Sequence, residues 1–400
     1  MRLANRNCDR CNDCTACRHV ACPAGRLHSK ECIGCGICQL VCPSDAIELR
    51  HLQPAASSGC CIRINGQLAT VETGTPLIDT FRSFGLIGAQ DTCSCGGCWT
   101  CAAVVDGYVR LACTTIVADG MDVLYPVPTG EPLRRATIVE PHYGGACGTP
   151  FSYRLTRGRG NVMEIVTASS GCNFRCPTCQ AFGIAFGGRW AVMDSQGLAG
   201  VISRYAGYHA VDRVIISGGE PTLNVPWLLS LMKYLKDDRA INFVNLDTNG
   251  SLLSSDLLEE LCILGLTNLS LDLKAIRLGT FMNNTGVGET ELAKKFLKNA
   301  WTMLSAAMGI EGLYVGVGIP FNPALIVDDE LREIGTAISG IRRDIQVSLI
   351  DVRPAFRRND IERPTVEEML VAQRIMLESG LENVWALTPQ GPVSPRSECY

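Results

Sequence analysis

Hydrophobic positions keep a steady rhythm in the back half of the chain and lose it in the front. From residue 161 to about 390, short β-branched runs alternate with stretches whose apolar residues recur at helical spacing. The runs predict strands at 162–167, 213–217, 242–247, 268–273, 313–319 and 345–351. Helices fall between and after them, for example at 226–238, 254–264 and 366–379. Six strand–helix units in this order predict an α/β fold with parallel strands in a full or partial (β/α)6 TIM-like barrel. Residues 60–128 instead open CCIRINGQLATVETGTPLIDTFRSFGL, a strand–turn–strand–helix pattern. Residues 129–160 are rich in Gly, Pro and Arg and read as a linker wrapping between modules. Residues 1–52 leave little room for a hydrophobic core. The expected division is 1–55, 56–128, a linker at 129–160, and the barrel at 161–400.

Composition narrows the class. With 400 residues, 46% of them hydrophobic, the chain can build two or three domains with real cores. Only 19% of residues are charged and the net charge is −4, so no nucleic acid or other charged macromolecule is expected as a partner. No run of 18 apolar residues predicts a membrane span. The opening MRLANRNCDRC has neither an apolar core nor a small-residue cleavage site, so no signal peptide is read there. The expectation is a cytoplasmic protein.

The 22 cysteines carry the chemistry. They come in tight C-x-x-C series, which read as metal ligands rather than disulfides. Sixteen precede residue 115. In the back half, the first predicted strand ends in SSGCNFRCPTCQ, with Cys172, Cys176 and Cys179 at C-x3-C-x2-C spacing. Three thiolates on one loop can hold three irons of a [4Fe–4S] cube and leave the fourth open to a ligand. The second strand ends in Gly218-Gly219-Glu220-Pro221. The competing reading is a structural three-cysteine site beside an unrelated glycine turn.

These two motifs at successive strand ends resemble the radical S-adenosylmethionine (SAM) superfamily. With LDTNG at 246–250 and LDLK at 271–274, the loop looks like the pyruvate formate-lyase activating-enzyme branch over roughly residues 161–355. The resemblance implies that Cys172, Cys176 and Cys179 hold a catalytic cluster whose open iron SAM chelates. It implies that Gly218, Gly219, Glu220 and Pro221 serve the methionyl amino group, with Glu220 accepting from the ammonium. Asp247, Asn249, Asp272 and Lys274 would surround SAM, Lys274 being suited to its carboxylate. A sixth-strand histidine that approaches the ribose in that branch is replaced here by Arg353 in SLIDVRPAFR. Thr178 stands where the branch carries an aromatic residue, so adenine packing falls partly to Phe174 or Ile319. The implied activity is reductive cleavage of SAM to a 5′-deoxyadenosyl radical that abstracts hydrogen from a substrate, the chemistry of an anaerobic enzyme.

The front carries further iron–sulfur motifs. Cys32, Cys35, Cys38 and Cys42-Pro43 follow the bacterial ferredoxin run C-x2-C-x2-C-x3-C-P without deviation. Cys8, Cys11, Cys14, Cys17 and Cys22 form a looser partner. Because the fourth cysteine of such a run ligates the other cluster, Cys11, Cys14, Cys17 and Cys42 are assigned to one [4Fe–4S] cube. Cys22, Cys32, Cys35 and Cys38 are assigned to the second. Cys8 is left over and could replace a member of the first set, and a single cluster with unused cysteines is the simpler alternative. Cys93, Cys98, Cys101 and Cys113 reproduce the plant-type C-x4-C-x2-C…C pattern of a [2Fe–2S] centre. The preceding INGQ…GTPLIDTFRSFGL resembles a β-grasp ferredoxin domain, with Cys95 a bystander; a zinc site fits the spacing less well. Such a centre, at about −400 mV, suits a local donor of electrons to the catalytic cluster.

Seven cysteines are then unassigned: Cys8, Cys60, Cys61, Cys95, Cys147, Cys262 and Cys399. Cys262 reads as core packing, Cys147 sits where it could face the barrel mouth, and Cys60 and Cys61 suggest nothing. Three functions compete: an activating enzyme for a glycyl-radical protein, a radical SAM oxidoreductase acting on a metabolite or another protein, and an electron-transfer subunit with a degenerate barrel. Expected partners are a low-potential donor of the ferredoxin or flavodoxin type and a small-molecule or protein substrate.

Overall fold

The computed structural model describes residues 2–17, 22, 32, 34–51, 59–88, 91–128, 130–143, 147–151, 163–188, 190–238 and 240–395, the side chains of 2, 51 and 139–143 excepted. At the front, β1 (Arg2–Arg6) and β2 (Ile47–His51) pair antiparallel, Arg2 opposite His51 and Arg6 opposite Ile47. They close off the first cysteine-rich stretch, whose small core is Ala4, Cys38, Cys42, Ala46 and Ile47. Next come β3 (Gly59–Ile64), β4 (Gln67–Glu72), β5 (Ala102–Val105), β6 (Tyr108–Leu111) and β7 (Asp122–Leu124), forming a five-stranded sheet in the order β4-β3-β7-β5-β6. The helix Leu77–Ser83 buries Leu77 and Phe81 in the same core as β3 and β7. Period-two alternation along β3 settles the Cys60–Cys61 pair: Cys60 faces that core with Ile62 and Ile64, and Cys61 faces out.

The back half is a ten-stranded sheet. Its strands are β8 (Leu133–Tyr143), β9 (Met163–Ser169), β10 (Val192–Asp194), β11 (Arg213–Gly218), β12 (Phe243–Thr248), β13 (Asn268–Asp272), β14 (Tyr314–Phe321), β15 (Gln346–Asp351), β16 (Val384–Thr388) and β17 (Gly391–Val393). They run in the order β10-β8-β9-β11-β12-β13-β14-β15-β16-β17. All ladders from β9 to β16 are parallel. The six expected strands are present within two residues of their predicted ends. The sheet exceeds the expectation in two ways. β16 adds a seventh parallel strand, and the stretch expected as a linker supplies β8, antiparallel to β9.

Alternation along the parallel strands explains how the two faces differ. Val214, Ile216, Val244, Leu246, Leu269, Leu271, Val315, Val317, Val347 and Leu349 share one core with the helices Ser195–His209, Val225–Asp237, Ser255–Ile263, Asp328–Ile341 and Val366–Glu378. Local capping fixes where several helices start. Asp194 accepts from Gly197 N–H, Ser254 from Leu257 N–H, and Thr365 with Glu368 forms a reciprocal capping box. Intervening strand residues are polar or small: Asn245, Ser270, Gly316, Gly318 and Gln346.

Segment 147–151 lies against this second face. Gly148 N–H donates to Ser270 Oγ (2.6 Å), Phe151 N–H to Gln346 Oε1 (2.8 Å), and Gln346 Nε2 to the carbonyls of Cys147 and Thr149. Gly316 and Gly318 leave the room it needs. A Cβ on Gly318 would stand 3.1 Å from the Cys147 sulfur, and one on Gly316 would strike the Cys147 carbonyl. The sequence pattern had no means of showing this long-range threading.

Candidate active site

The parallel strands end in loops around a cavity of about 330 Å³ lined by Cys172, Phe174, Cys176, Thr178, Cys179, Gly218, Gly219, Asp247, Thr248, Asn249, Asp272 and Lys274, with Pro320, Ile350 and Val352 on the far wall. The three cysteines of the first loop therefore converge on one space. Burial, with each neighbouring thiol, pushes Cys172 and Cys176 up to about 12 and Cys179 to about 11. As free thiols they hold their protons, so a metal must displace them on binding. Three thiols on one side of a cavity, with a fourth position open, fit an iron–sulfur cube that keeps one iron for a ligand.

Charged groups line the same cavity. Lys274 Nζ stands 2.8 Å from Asp272 Oδ2, and although burial opposes it, the neighbouring Asp272, Cys176 and Asp247 hold the ammonium above its usual range. Burial, then Asp272, raises Asp247 to about 7, while the Ser217 hydroxyl donates to it at 2.6 Å. Beneath them lies the thiol that 147–151 brings in. Ligand atoms of Cys147, Asp247 and Asp272 lie within 4.8 Å of one another. Burial and the two carboxylates push Cys147 well above the usual thiol range, so it stays protonated. Its nearest recorded partner is the Gly316 carbonyl, 3.8 Å away.

Several expected site residues sit elsewhere. Glu220 is fully buried and does not line the cavity. Its carboxylate accepts from Thr222 N–H and Oγ1, Thr248 Oγ1 and Asn249 N–H at 2.6–3.0 Å, tying β11 to the loop after β12. Pro221 is buried in the turn behind it. The methionyl-amino reading therefore passes to the backbone of Gly218 and Gly219, which do face the cavity. Arg353 is exposed and outside the cavity wall, whereas Ile350 and Val352 line it; strand alternation sends the intervening positions outward. Of the two candidates for adenine packing, Phe174 lines the cavity and Ile319 is buried in the helix-side core.

Some of the front cysteines stand close together. Cys11, Cys14, Cys17 and Cys42 line a cavity of about 70 Å³ under β2, and Cys17 is raised by burial and then by Cys42, Cys14 and Cys11. Cys8 is exposed and outside that cavity. Burial, then Cys35, Cys22 and Cys32, takes Cys38 up to about 12, which brings the other four together. In the second module the thiols of Cys95 and Cys98 both meet that of Cys93, and Cys113 meets Cys101. Each iron of a two-iron centre takes two thiolates, and the contacts of Cys98 with Cys93 and of Cys113 with Cys101 fit that group. Although burial opposes it, Cys93 lies well below the usual thiol range, because the thiols of Cys95 and Cys98 donate to it. The N–H groups of Cys98 (3.2 Å), Gly97 (3.3 Å) and Cys95 (3.5 Å) also point at its sulfur. No disulfide joins any of the described cysteines. Cys262 packs against the helix-side core, and Cys399 lies outside the described residues.

Two arginines that belong to no recognisable motif join these loops. Arg134, on β8, is fully buried and donates only to carbonyls: Ser170 (3.1 and 3.2 Å), Gly171 (3.4 Å), Glu220 (2.6 Å) and Pro221 (2.7 Å). Arg175, between Cys172 and Cys176, donates to the carbonyls of Cys172 (2.6 Å), Phe174 (2.8 Å) and Cys93 (2.6 Å). Burial lowers Arg134, and the thiols of Cys98 and Cys93 work against that lowering. No carboxylate forms an ion pair with Arg134 among the described residues; Cys98, Cys93 and then the Glu220 carboxylate act on its charge from further off.

Comparison with known families agrees with this geometry. Residues 166–300 match the radical SAM superfamily, and residues 27–48 match a 4Fe-4S binding domain. These matches mark residues 166–300 as a radical SAM domain, and so part of an enzyme, and residues 27–48 as a 4Fe-4S binding domain. Comparison with curated proteins finds no match. Among solved structures, Streptococcus suis SuiB bound to S-adenosylmethionine is similar over 52% of this chain and 42% of that one, at 13% identity and TM-score 0.38. SuiB bound to the precursor peptide SuiA is similar over 52% and 43%, at 15% identity and TM-score 0.39. SuiB alone is similar over 52% and 44%, at 17% identity and TM-score 0.39. The chain thus spans less than half the length of these neighbours. No described helix is long and apolar enough to cross a membrane.

Proposed function

We propose that this chain is a cytoplasmic radical SAM enzyme whose catalytic domain, a partial barrel, is fed by its own iron–sulfur relay and acts on a metabolite or a protein. The observation that carries the reading is the single cavity in which Cys172, Cys176 and Cys179 face Gly218, Gly219, Asp247, Asn249, Asp272 and Lys274. When bound there, the cluster and SAM supply one-electron reductive cleavage to a 5′-deoxyadenosyl radical that takes a hydrogen atom from the substrate. The chain's own residues do the positioning. Lys274, held protonated by Asp272, is the cation for the methionyl carboxylate. Gly218 and Gly219 offer backbone to the amino group, and Asp247 offers negative charge to a cationic ligand. Phe174 and Val352 supply apolar walls that exclude water from the radical.

For the relay, Cys11, Cys14, Cys17 and Cys42 would hold one [4Fe–4S] cube, and Cys22, Cys32, Cys35 and Cys38 a second. Cys93, Cys98, Cys101 and Cys113 would hold a [2Fe–2S] centre in a β-grasp-like module. The thiol contacts of Cys98 with Cys93 and of Cys113 with Cys101, and the converging N–H groups, support that last assignment. A ferredoxin- or flavodoxin-type protein would reload the relay. LDTNG and LDLK at the ends of β12 and β13 favour, as a second reading, an activating enzyme whose substrate is a glycine of a partner protein.

The test is anaerobic reconstitution with iron and sulfide quantified, followed by SAM and dithionite, with EPR and a 5′-deoxyadenosine assay. Formation of 5′-deoxyadenosine with one cluster signal perturbed by SAM is expected. Failure of SAM to bind at all would leave only an electron-transfer role.

A further inference from the structure

The two cluster-bearing regions touch backbone to backbone. A Cβ on Gly97 would lie 2.5 Å from Gly171 N, and one on Gly171, where φ is +91°, would lie 2.7 Å from Cys98 N and 3.0 Å from Cys93 Cβ. Both positions therefore require glycine, and Gly171 is the residue next to Cys172. Around this contact Arg175 spans the carbonyls of Cys172 and Cys93, and Asn224 Nδ2 donates to the Cys98 carbonyl at 2.8 Å. Arg135 Nε donates to the Gly96 carbonyl at 3.1 Å, and Thr100 Oγ1 to the Leu223 carbonyl at 2.8 Å. Arg134 donates to the carbonyls of Ser170 and Gly171 at the same contact, and among the described residues it has no carboxylate ion pair. Cys93, Cys95 and Cys98 share one apolar cluster with Cys172 and Cys179.

Resting on the reading that Cys93, Cys98, Cys101 and Cys113 hold a two-iron centre, we infer that this centre is the immediate electron donor to the cluster at Cys172, Cys176 and Cys179. The contact between Gly97 and Gly171, bridged by Arg175, is a fixed electron-transfer junction. One electron leaves the reduced two-iron centre, oxidising it, and enters the catalytic cluster. No bond or proton changes hands at the junction, and a low-potential one-electron donor or dithionite restores the starting state. Arg175 acts as a positioning residue. It holds the two loops in register and places a positive charge between centres that both become more negative on reduction. The competing donor is the Cys32–Cys42 run. Cys35 reaches the same apolar cluster, and Arg357 ties the carbonyls of Gln39 and Cys42 to the catalytic loop through Pro177. That route runs through a side chain on a third segment rather than through direct backbone contact, which is why the two-iron module is favoured.

The experiment uses the full-length reconstituted protein. EPR and Mössbauer spectra of the dithionite-reduced protein are expected to show a two-iron spectrum and a SAM-perturbed four-iron spectrum, with spin–spin broadening of the latter. Cys101→Ser should remove both the two-iron spectrum and the broadening. In freeze-quench samples, Arg175→Gln should slow arrival of the electron at the SAM-perturbed cluster about tenfold, the rate equivalent of about 1.4 kcal/mol, and Arg175→Lys should restore part of it. Should either Arg175 variant lose the catalytic cluster, Gly97→Ala, which wedges the junction from the other side, is expected to give the same slowing. Absence of any two-iron spectrum in the parent protein would overturn the cofactor reading itself. Two intact spectra without interaction, and an Arg175→Gln rate equal to the parent, would overturn the junction alone. Broadening that survives Cys101→Ser but disappears with Cys35→Ser would make the Cys32–Cys42 run the donor and equally overturn it.

Discussion

The front and back of this molecule bury their interiors with different material. Behind the sheet, Trp227, Leu228, Leu231, Leu246, Leu269, Val317, Ile334, Leu349 and Met376 form a continuous aliphatic and aromatic core, each fully buried. In front, the first module's own core is Ala4, Ala46, Ile47 and two cysteines, with Ala16, Ile37 and Val41 buried in a separate cluster beside Cys172, and the second fills the space beside Phe81 and Leu77 partly with Cys101 and Cys113. A thiol packs as a small hydrophobe, but four of them around a gap hold together best when a metal replaces their protons. The back can therefore fold on hydrophobic burial alone, while the clusters proposed for the front would serve it as staples, as in small domains with thin cores. The catalytic loop lies on the seam, held from both sides, and Arg134 and Arg175 are the cations that join the two kinds of structure.

Removing iron should expose this contrast most strongly. Under anaerobic chelation, hydrogen exchange is expected to accelerate throughout 2–128 while β11 to β15 keep their protection; equal loss in both halves would break the comparison. Cys176→Ala should then lower 5′-deoxyadenosine formation to below about a thousandth of the parent, with thermal melting of the sheet unchanged. Arg134→Met should cost about 3 kcal/mol or more, because it removes the buried hydrogen bonds that tie the carbonyls of Ser170, Gly171, Glu220 and Pro221 together at the seam. An anaerobic denaturant melt within about 1 kcal/mol of the parent would show that the seam is not held this way.

Within the back half, Asp247 sharpens the picture through pH. Its pKa of about 7 in the folded chain exceeds the usual value near 4. The folded state therefore holds the proton between those values, and this group's contribution to stability falls as pH rises from about 4 to about 7. SAM is cationic at its ammonium and sulfonium, so its affinity should rise by up to about tenfold per pH unit over the upper part of that window. Asp247→Asn should flatten that dependence, as measured by SAM titration of the EPR signal. The smallest effect belongs to Arg353→Ala, expected within about 0.5 kcal/mol in stability and without change in SAM affinity, because the side chain is in solvent.

Local spacing was enough to read much of this protein. The C-x3-C-x2-C loop, the ferredoxin runs and the plant-type series place thiols on short loops whose reach is set by a few residues. In the structure Cys172, Cys176 and Cys179 line one cavity, and Cys11, Cys14, Cys17 and Cys42 line another. β-branched runs likewise marked six strands, because period-two burial is written in neighbouring positions. Tertiary structure alone decided everything that depends on which way a side chain faces and on what meets it from afar. It turned Glu220 away from the cavity and Arg353 into solvent, and it drew 147–151 across the polar face of the sheet to set Cys147 beneath Asp247 and Asp272. It also joined Arg175 to Cys93 and Arg134 to Glu220, pairs 82 and 86 residues apart. Contacts at that separation leave no period in the chain, since they arise only when two separately patterned modules close upon each other.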